Sequence, residues 1–172
     1  REGKLDEALT HWRTALDKRP DAHFGAGFLH LRMLEWKRAA ALTKGAPTKN
    51  MLGSAYAEKW PSSVYSMERK FLESKGLTRD EKVDHVELVA TFVRANPDFA
   101  EGYFILGLTL QGRFDLNLAL WSFVQAKRLG HPSPAAVDGR IKHIFDHWKD
   151  ALKHTHSRSK PKMTSIAAAV TS

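Results

Sequence analysis

The chain has 172 residues, no cysteine, and 27 Lys plus Arg against 19 Asp plus Glu, for a formal charge of +8. With 42% hydrophobic and 27% charged residues it can bury a real core, which excludes wholesale disorder, a collagen-like fibre and a disulfide scaffold. No apolar run approaches the ~18 residues of a membrane-crossing helix and no signal-peptide pattern opens the chain, so a soluble, basic protein is expected, with the cytoplasm as the default compartment.

The first element is a helix. Leu5, Ala8, Leu9, Trp12, Ala15 and Leu16 recur at three- and four-residue steps and form one apolar face that ends before Pro20. A longer helix is expected from Ala22 to about Thr43. Its apolar residues, among them Phe24, Phe28, Leu29, Met33 and Trp36, occupy more than one face and predict burial on several sides. Gly45, Pro47 and Thr48 then break the chain.

A short helix is expected over Asn50 to Trp60, stopped by Pro61, and another carries Val64, Tyr65, Met67, Phe71 and Leu72 to a cap at Gly76. Thr78 and Glu81 have the spacing of a capping box, opening a helix through Val83, Val86, Val89 and Val93 that Asn96-Pro97 closes. Helices over 98–112 and 115–129 follow, separated at Gly112. Ser133-Pro134 starts a last helix reaching about His154. From Thr155 the residues are Ser, Lys, Arg and small, without periodicity, so 155–172 reads as a basic disordered tail. Nothing reads as a strand. The expected class is all-α, with about eight helices.

Two stretches repeat a pattern. Ala8, Trp12 and Ala15 are spaced as Ala119, Phe123 and Ala126 are, and Pro20 and Pro132 close the two stretches. Before the second stand Tyr103, Leu106, Gly107 and Leu110. This resembles the tetratricopeptide repeat, with Tyr103 at its tryptophan position, Leu106 and Gly107 matching directly, and Ala119, Phe123 and Ala126 on the second helix. Pro97 to Pro132 spans one repeat of about 34 residues. Ala8, Trp12, Ala15 and Pro20 match the second half of a unit whose first helix is missing, which suggests a piece of a longer protein. Leu52-Gly53-x-x-Tyr56 echoes a first helix, but 21–96 is either two degenerate repeats or hairpins that stack similarly. The resemblance implies a helical-hairpin solenoid over 1–132, a capping helix over 133–154 and the tail; an ordinary helical bundle is the alternative.

Candidate chemistry is sparse. His143, His147, Asp150 and His154 line one face of the last helix, opposite an apolar stripe of Ile141, Phe145, Trp148 and Leu152. The His pair lacks the glutamate of H-E-x-x-H and reads as a solvated face rather than a metal site. Asp80, Glu81, Asp84 and Glu87 cluster at a helix start, where the dipole accounts for them. His30 and His85 fall within apolar faces. The five tryptophans sit at helical spacings that suit a core better than nucleic-acid stacking. No cysteine nucleophile, G-x-S-x-G or phosphate-binding glycine loop is present. No cofactor, metal or catalytic residue is expected.

The resemblance implies a scaffold that holds a peptide segment or subunit of another protein in a concave groove. In the unit after Pro97 it turns Glu101, Phe104, Ile105, Leu108 and Gln111 toward that groove. Glu101 and Ile105 stand where a carboxylate clamp would need basic residues, so an apolar helix or extended segment is the expected guest. Self-association is the other reading of the same patch. Two alternatives stay open: a nucleic-acid or anionic-surface binder acting through its basic residues and tail, and the regulatory part of a larger enzyme.

Overall fold

Residues 2–22, 25–43, 46–56 and 84–158 are described by a computed structural model, and among them the chain forms six helices and no strand. These are α1 (Glu2–Lys18), α2 (Gly27–Leu42), α3 (His85–Ala95), α4 (Ala100–Gly112), α5 (Leu116–Arg128) and α6 (Pro134–Arg158). The protein is all-α. None of these helices is long and apolar enough to cross a membrane. The helices expected over 61–76 and from Thr78 to Val83, and the tail beyond Arg158, lie outside the described residues.

Helix ends follow the side chains at them. Asp84 accepts the Glu87 N–H at 3.1 Å and Asp115 the Leu118 N–H at 3.3 Å, so α3 and α5 begin where an acidic cap satisfies an orphan donor. α3 therefore starts at His85, with Asp84 extended ahead of it. α5 ends in a left-handed turn at Gly130 (φ +74). There the Gly130 N–H donates to Lys127 O and the His131 N–H to Ala126 O, both at 3.0 Å. That turn brings His131 back under the hairpin.

Two expected helices differ. The one expected from Ala22 begins only at Gly27, because Gly25 turns left-handed (φ +79) and the chain folds so tightly that a Cβ at Gly27 would lie 2.9 Å from Ala22 O. The one expected from Asn50 is, over 50–56, a braced turn. Asn50 Oδ1 accepts the N–H groups of Leu52 and Ser54, each at 3.0 Å, and offers the backbone an alternative to helix. Gly53 is left-handed there (φ +83), and Lys49 and Ala55 form an isolated antiparallel bridge.

Packing runs in sequence order: α1 on α2, α3 on α4, α4 on α5 and α5 on α6, with a lighter contact between α2 and α3. α1, α2 and α3 meet at His30, whose ring stacks on Trp12 (5.0 Å, 2°) and meets the edge of Phe92 at 5.0 Å. Asn96 donates to its Nε2 at 3.1 Å and to Phe92 O at 2.8 Å. α4 is the central element, with ten of its thirteen residues buried. Leu29, Met33, Met51, Val89, Phe92, Ala119, Phe123, Val137 and Ile144 complete the core around it.

Candidate functional site

The α4–α5 hairpin closes on small residues. Gly107 admits the ring of Phe123, while Ala119 and Ala126 are fully buried and Leu106 is buried beside them. Tyr103 meets Trp121 edge to face at 5.8 Å. Of the residues the repeat pattern singled out in this stretch, Gly107 meets Phe123, and Leu106, Ala119, Phe123 and Ala126 share one core cluster against which Tyr103 packs. In the earlier stretch Trp12 stacks on His30 and Ala8 is half-buried, whereas Ala15 and Pro20 are exposed.

The five positions that the resemblance turns toward a groove, Glu101, Phe104, Ile105, Leu108 and Gln111, form one stripe along α4 and are all buried. The chain itself covers the end that carries Glu101 and Phe104. Glu101 is 1% exposed and accepts three hydrogen bonds: the Met51 backbone N–H on Oε1 at 2.9 Å, and on Oε2 the Tyr56 hydroxyl at 2.6 Å and His131 Nε2–H at 2.8 Å. His131 Nδ1 lies 3.1 Å from the Ser133 N–H and 3.2 Å from Ser133 O, contacts that orient the ring so that Nε2 faces Glu101. A buried carboxylate is tolerable only when its oxygens are satisfied in this way.

Aromatic rings close over the carboxylate. Phe104 lies 4.6 Å from His131 and 5.6 Å from Tyr56, and Tyr56 stands edge-on to His131 at 5.3 Å. Burial, and then the charge of Glu101, push the Tyr56 phenol well above its ordinary value, so it stays a donor. The covering segment is rigid in itself. Asn50 braces its turn, the Tyr56 N–H donates to Thr48 O at 3.2 Å, and Trp36 Nε1 on α2 donates to Lys49 O at 2.8 Å. Residues 48–56 thus sit between α2 and α4 as a bound segment of the chain's own. Gln111, 2% exposed at the other end of the stripe, has neither side-chain amide atom hydrogen-bonded among the described residues.

Met51 and His131 were not singled out from sequence, and Tyr56 entered only as part of an echo of a first repeat helix, not as a partner of Glu101. The signals were there: a lone carboxylate inside the apolar run Ala100–Gly112, and a Gly-His pair at the end of α5. The remaining candidates stay apart. Asp84 and Glu87 form surface ion pairs with Arg113 (3.0 Å) and Arg94 (2.9 Å). On α6, His143 is half-buried, and burial with the charges of Arg140 and His147 holds its imidazole below the ordinary value. Among the described residues no group of three or more His, Asp or Glu could hold a metal ion, and the His154 side chain lies outside them. Arg140 is buried on the same helix, and desolvation pulls its guanidinium down to about 10.

Comparison with protein-family models, with curated proteins and with solved structures finds no match to this chain.

Proposed function

We propose that the chain is a non-catalytic protein-interaction module, a tetratricopeptide-like stack of helical hairpins whose α4 stripe holds a segment of a partner protein. One observation carries this reading: the stripe already holds a chain segment. Residues 48–56 present a backbone N–H and a side-chain hydroxyl to Glu101 and lay Met51 and Tyr56 against the core. A surface that recognises backbone and side chain in this way is equipped for an extended or turned peptide. The packing of Gly107 against Phe123, with Ala119 and Ala126 beneath, is what close helical hairpins of this kind require.

A guest reaching Glu101 and Phe104 replaces the internal segment, and that gives the test. A labelled synthetic peptide of residues 46–56 is titrated against the intact chain and against a chain carrying Met51→Gly and Tyr56→Phe, which loosens the internal copy. The loosened chain should bind the peptide and the intact chain should not. Failure of the loosened chain to bind, with its helicity retained, removes the stripe as a peptide site. Tight binding of a single-stranded oligonucleotide instead, falling steeply with salt, would move the assignment to the basic surface.

A further inference from the structure

Glu101 is satisfied from two sides. Glu101 and Phe104 stand on α4 and His131 follows the Gly130 turn; this part of the chain supplies one donor to the carboxylate, His131 Nε2–H at 2.8 Å on Oε2. The other two come from residues 48–56: the Met51 N–H on Oε1 at 2.9 Å and the Tyr56 hydroxyl on Oε2 at 2.6 Å. The Glu101 side chain is fully buried. An occupant that brought no donor would leave a carboxylate oxygen shut away from water and unpaired, which is strongly unfavourable. The site therefore selects for donors and against a second negative charge.

The side-chain donor has a defined shape. Phe104 meets the Tyr56 ring edge to face at 5.6 Å and His131 does so at 5.3 Å, two aromatic walls beside the carboxylate. Phenylalanine would suit the walls and leave Oε2 one donor short. Tyrosine combines the ring with a hydroxyl donor at its tip.

The segment that brings this tyrosine also carries its own shape. The Asn50 N–H donates to Ser54 O at 2.7 Å, Asn50 Oδ1 accepts from Leu52 and Ser54, and the Tyr56 N–H donates to Thr48 O at 3.2 Å. These bonds all close within 48–56, so a stretch of another protein can form the same turn without α2 and loses little conformational freedom on docking. A second closed copy of this chain has no such turn to offer. Its own is already tied to Glu101 and, through Lys49 O, to Trp36 Nε1 at 2.8 Å.

We infer that the guest of this site is a tyrosine-bearing turn of another protein, with its phenol hydroxyl on Glu101 Oε2 and a backbone N–H on Oε1 from a residue placed before the tyrosine as Met51 is before Tyr56. The inference rests on the peptide-binding reading of the α4 stripe and names the chemistry of what it binds. Phosphorylation of the guest tyrosine abolishes docking, since it replaces a donor with a group of roughly two negative charges against a buried carboxylate.

Labelled peptides of residues 46–56 test this by fluorescence anisotropy against the full chain carrying Met51→Gly and Tyr56→Phe. The parent peptide should bind. A peptide with Tyr56→Phe should bind about ten- to a hundredfold more weakly, the loss expected for a hydrogen bond to a charged group, and one phosphorylated at Tyr56 should not bind. Because these changes lie in the peptide, they cannot unfold the chain. Failure of the parent peptide removes the peptide-binding reading and this inference with it. Parent binding that the Tyr56→Phe or the phosphorylated peptide matches overturns this inference alone. Sedimentation of the loosened chain mixed with the intact chain should show no complex; a one-to-one complex would make the occupant a second copy and overturn the assignment to another protein.

Discussion

The ring of Phe123 occupies the space that a side chain on Gly107 would need: a Cβ there would stand 2.6 Å from Phe123 Cε1 and 2.7 Å from Cδ1. Phe123 is fully buried and touches Phe104 at 5.7 Å, so the ring cannot swing away without disturbing the core around Glu101.

Gly107→Ala sets two effects against each other. Alanine gains about 1 kcal/mol of helix propensity over glycine, while overpacking a rigid core costs typically 1–3 kcal/mol. With the ring trapped the second wins, and a net loss of up to about 2 kcal/mol is expected. Chemical denaturation should show a lower midpoint with an unchanged slope; a raised midpoint would mean that α4 and α5 are not pressed together here.

The opposite sign is expected at Phe114. Replacing it with glycine removes a left-handed penalty of roughly 1–2 kcal/mol and forfeits little packing, as the ring is mostly exposed. Thermal unfolding should show a higher melting temperature for Phe114→Gly, because Phe114 occupies the left-handed C-cap position of α4, which favours glycine.

Tyr56→Phe deletes one of the three donors to Glu101. At neutral pH this should cost about 2 kcal/mol, the range of hydrogen bonds to charged groups. The difference has a pH signature. The unfolded chain releases the phenol proton near 10.0 while the folded chain retains it, so the native protein loses stability as pH climbs above that value. Denaturation midpoints for the native protein and for Tyr56→Phe should converge on the alkaline side and stay apart at pH 7. Parallel curves would show that the Tyr56 hydroxyl is not held by the carboxylate.

At the other end of the scale, Asp84 holds its carboxyl below the usual range, chiefly through the Glu87 N–H and then through Arg113. Its contribution is present above 3.8, the ordinary value, and disappears as the pH falls through the lowered one. Asp84→Ala should cost about 1 kcal/mol at pH 7, the usual loss of an N-cap, and progressively less in acid. The Arg113 pair is exposed and adds little. An acid-independent difference would remove the cap as its cause.

Much of α4 through α6 was legible because their signals act locally: Gly112 separates two helices, Ser133-Pro134 opens the last, and Ala119, Phe123 and Ala126 recur at helical steps. Asn50 shows where local reading fails. The Leu52-Gly53-x-x-Tyr56 echo suits a helix, but the Asn50 side chain competes for the same N–H groups, and Tyr56 finds its partner forty-five residues away. The stripe of Glu101, Phe104, Ile105, Leu108 and Gln111 was identified as one face, and its burial was not, because the Met51 and Tyr56 contacts over it join parts of the chain that no periodicity links. His131 escaped for the same reason: its role exists only after the Gly130 turn places it beside Glu101.

The bond from the Met51 amide to Glu101 also bears on how the chain assembles in time. Unlike a helical amide, that N–H is held by a side chain fifty residues further on, and closing so long a loop comes after local helices have formed. The segment that carries it should therefore be the last to seat and the first to lift. Its amide proton would then exchange with solvent through a partial opening, at a lower free energy than the protons of α4 and α5, and one exchange rate at Met51 would report the fraction of molecules whose stripe stands uncovered.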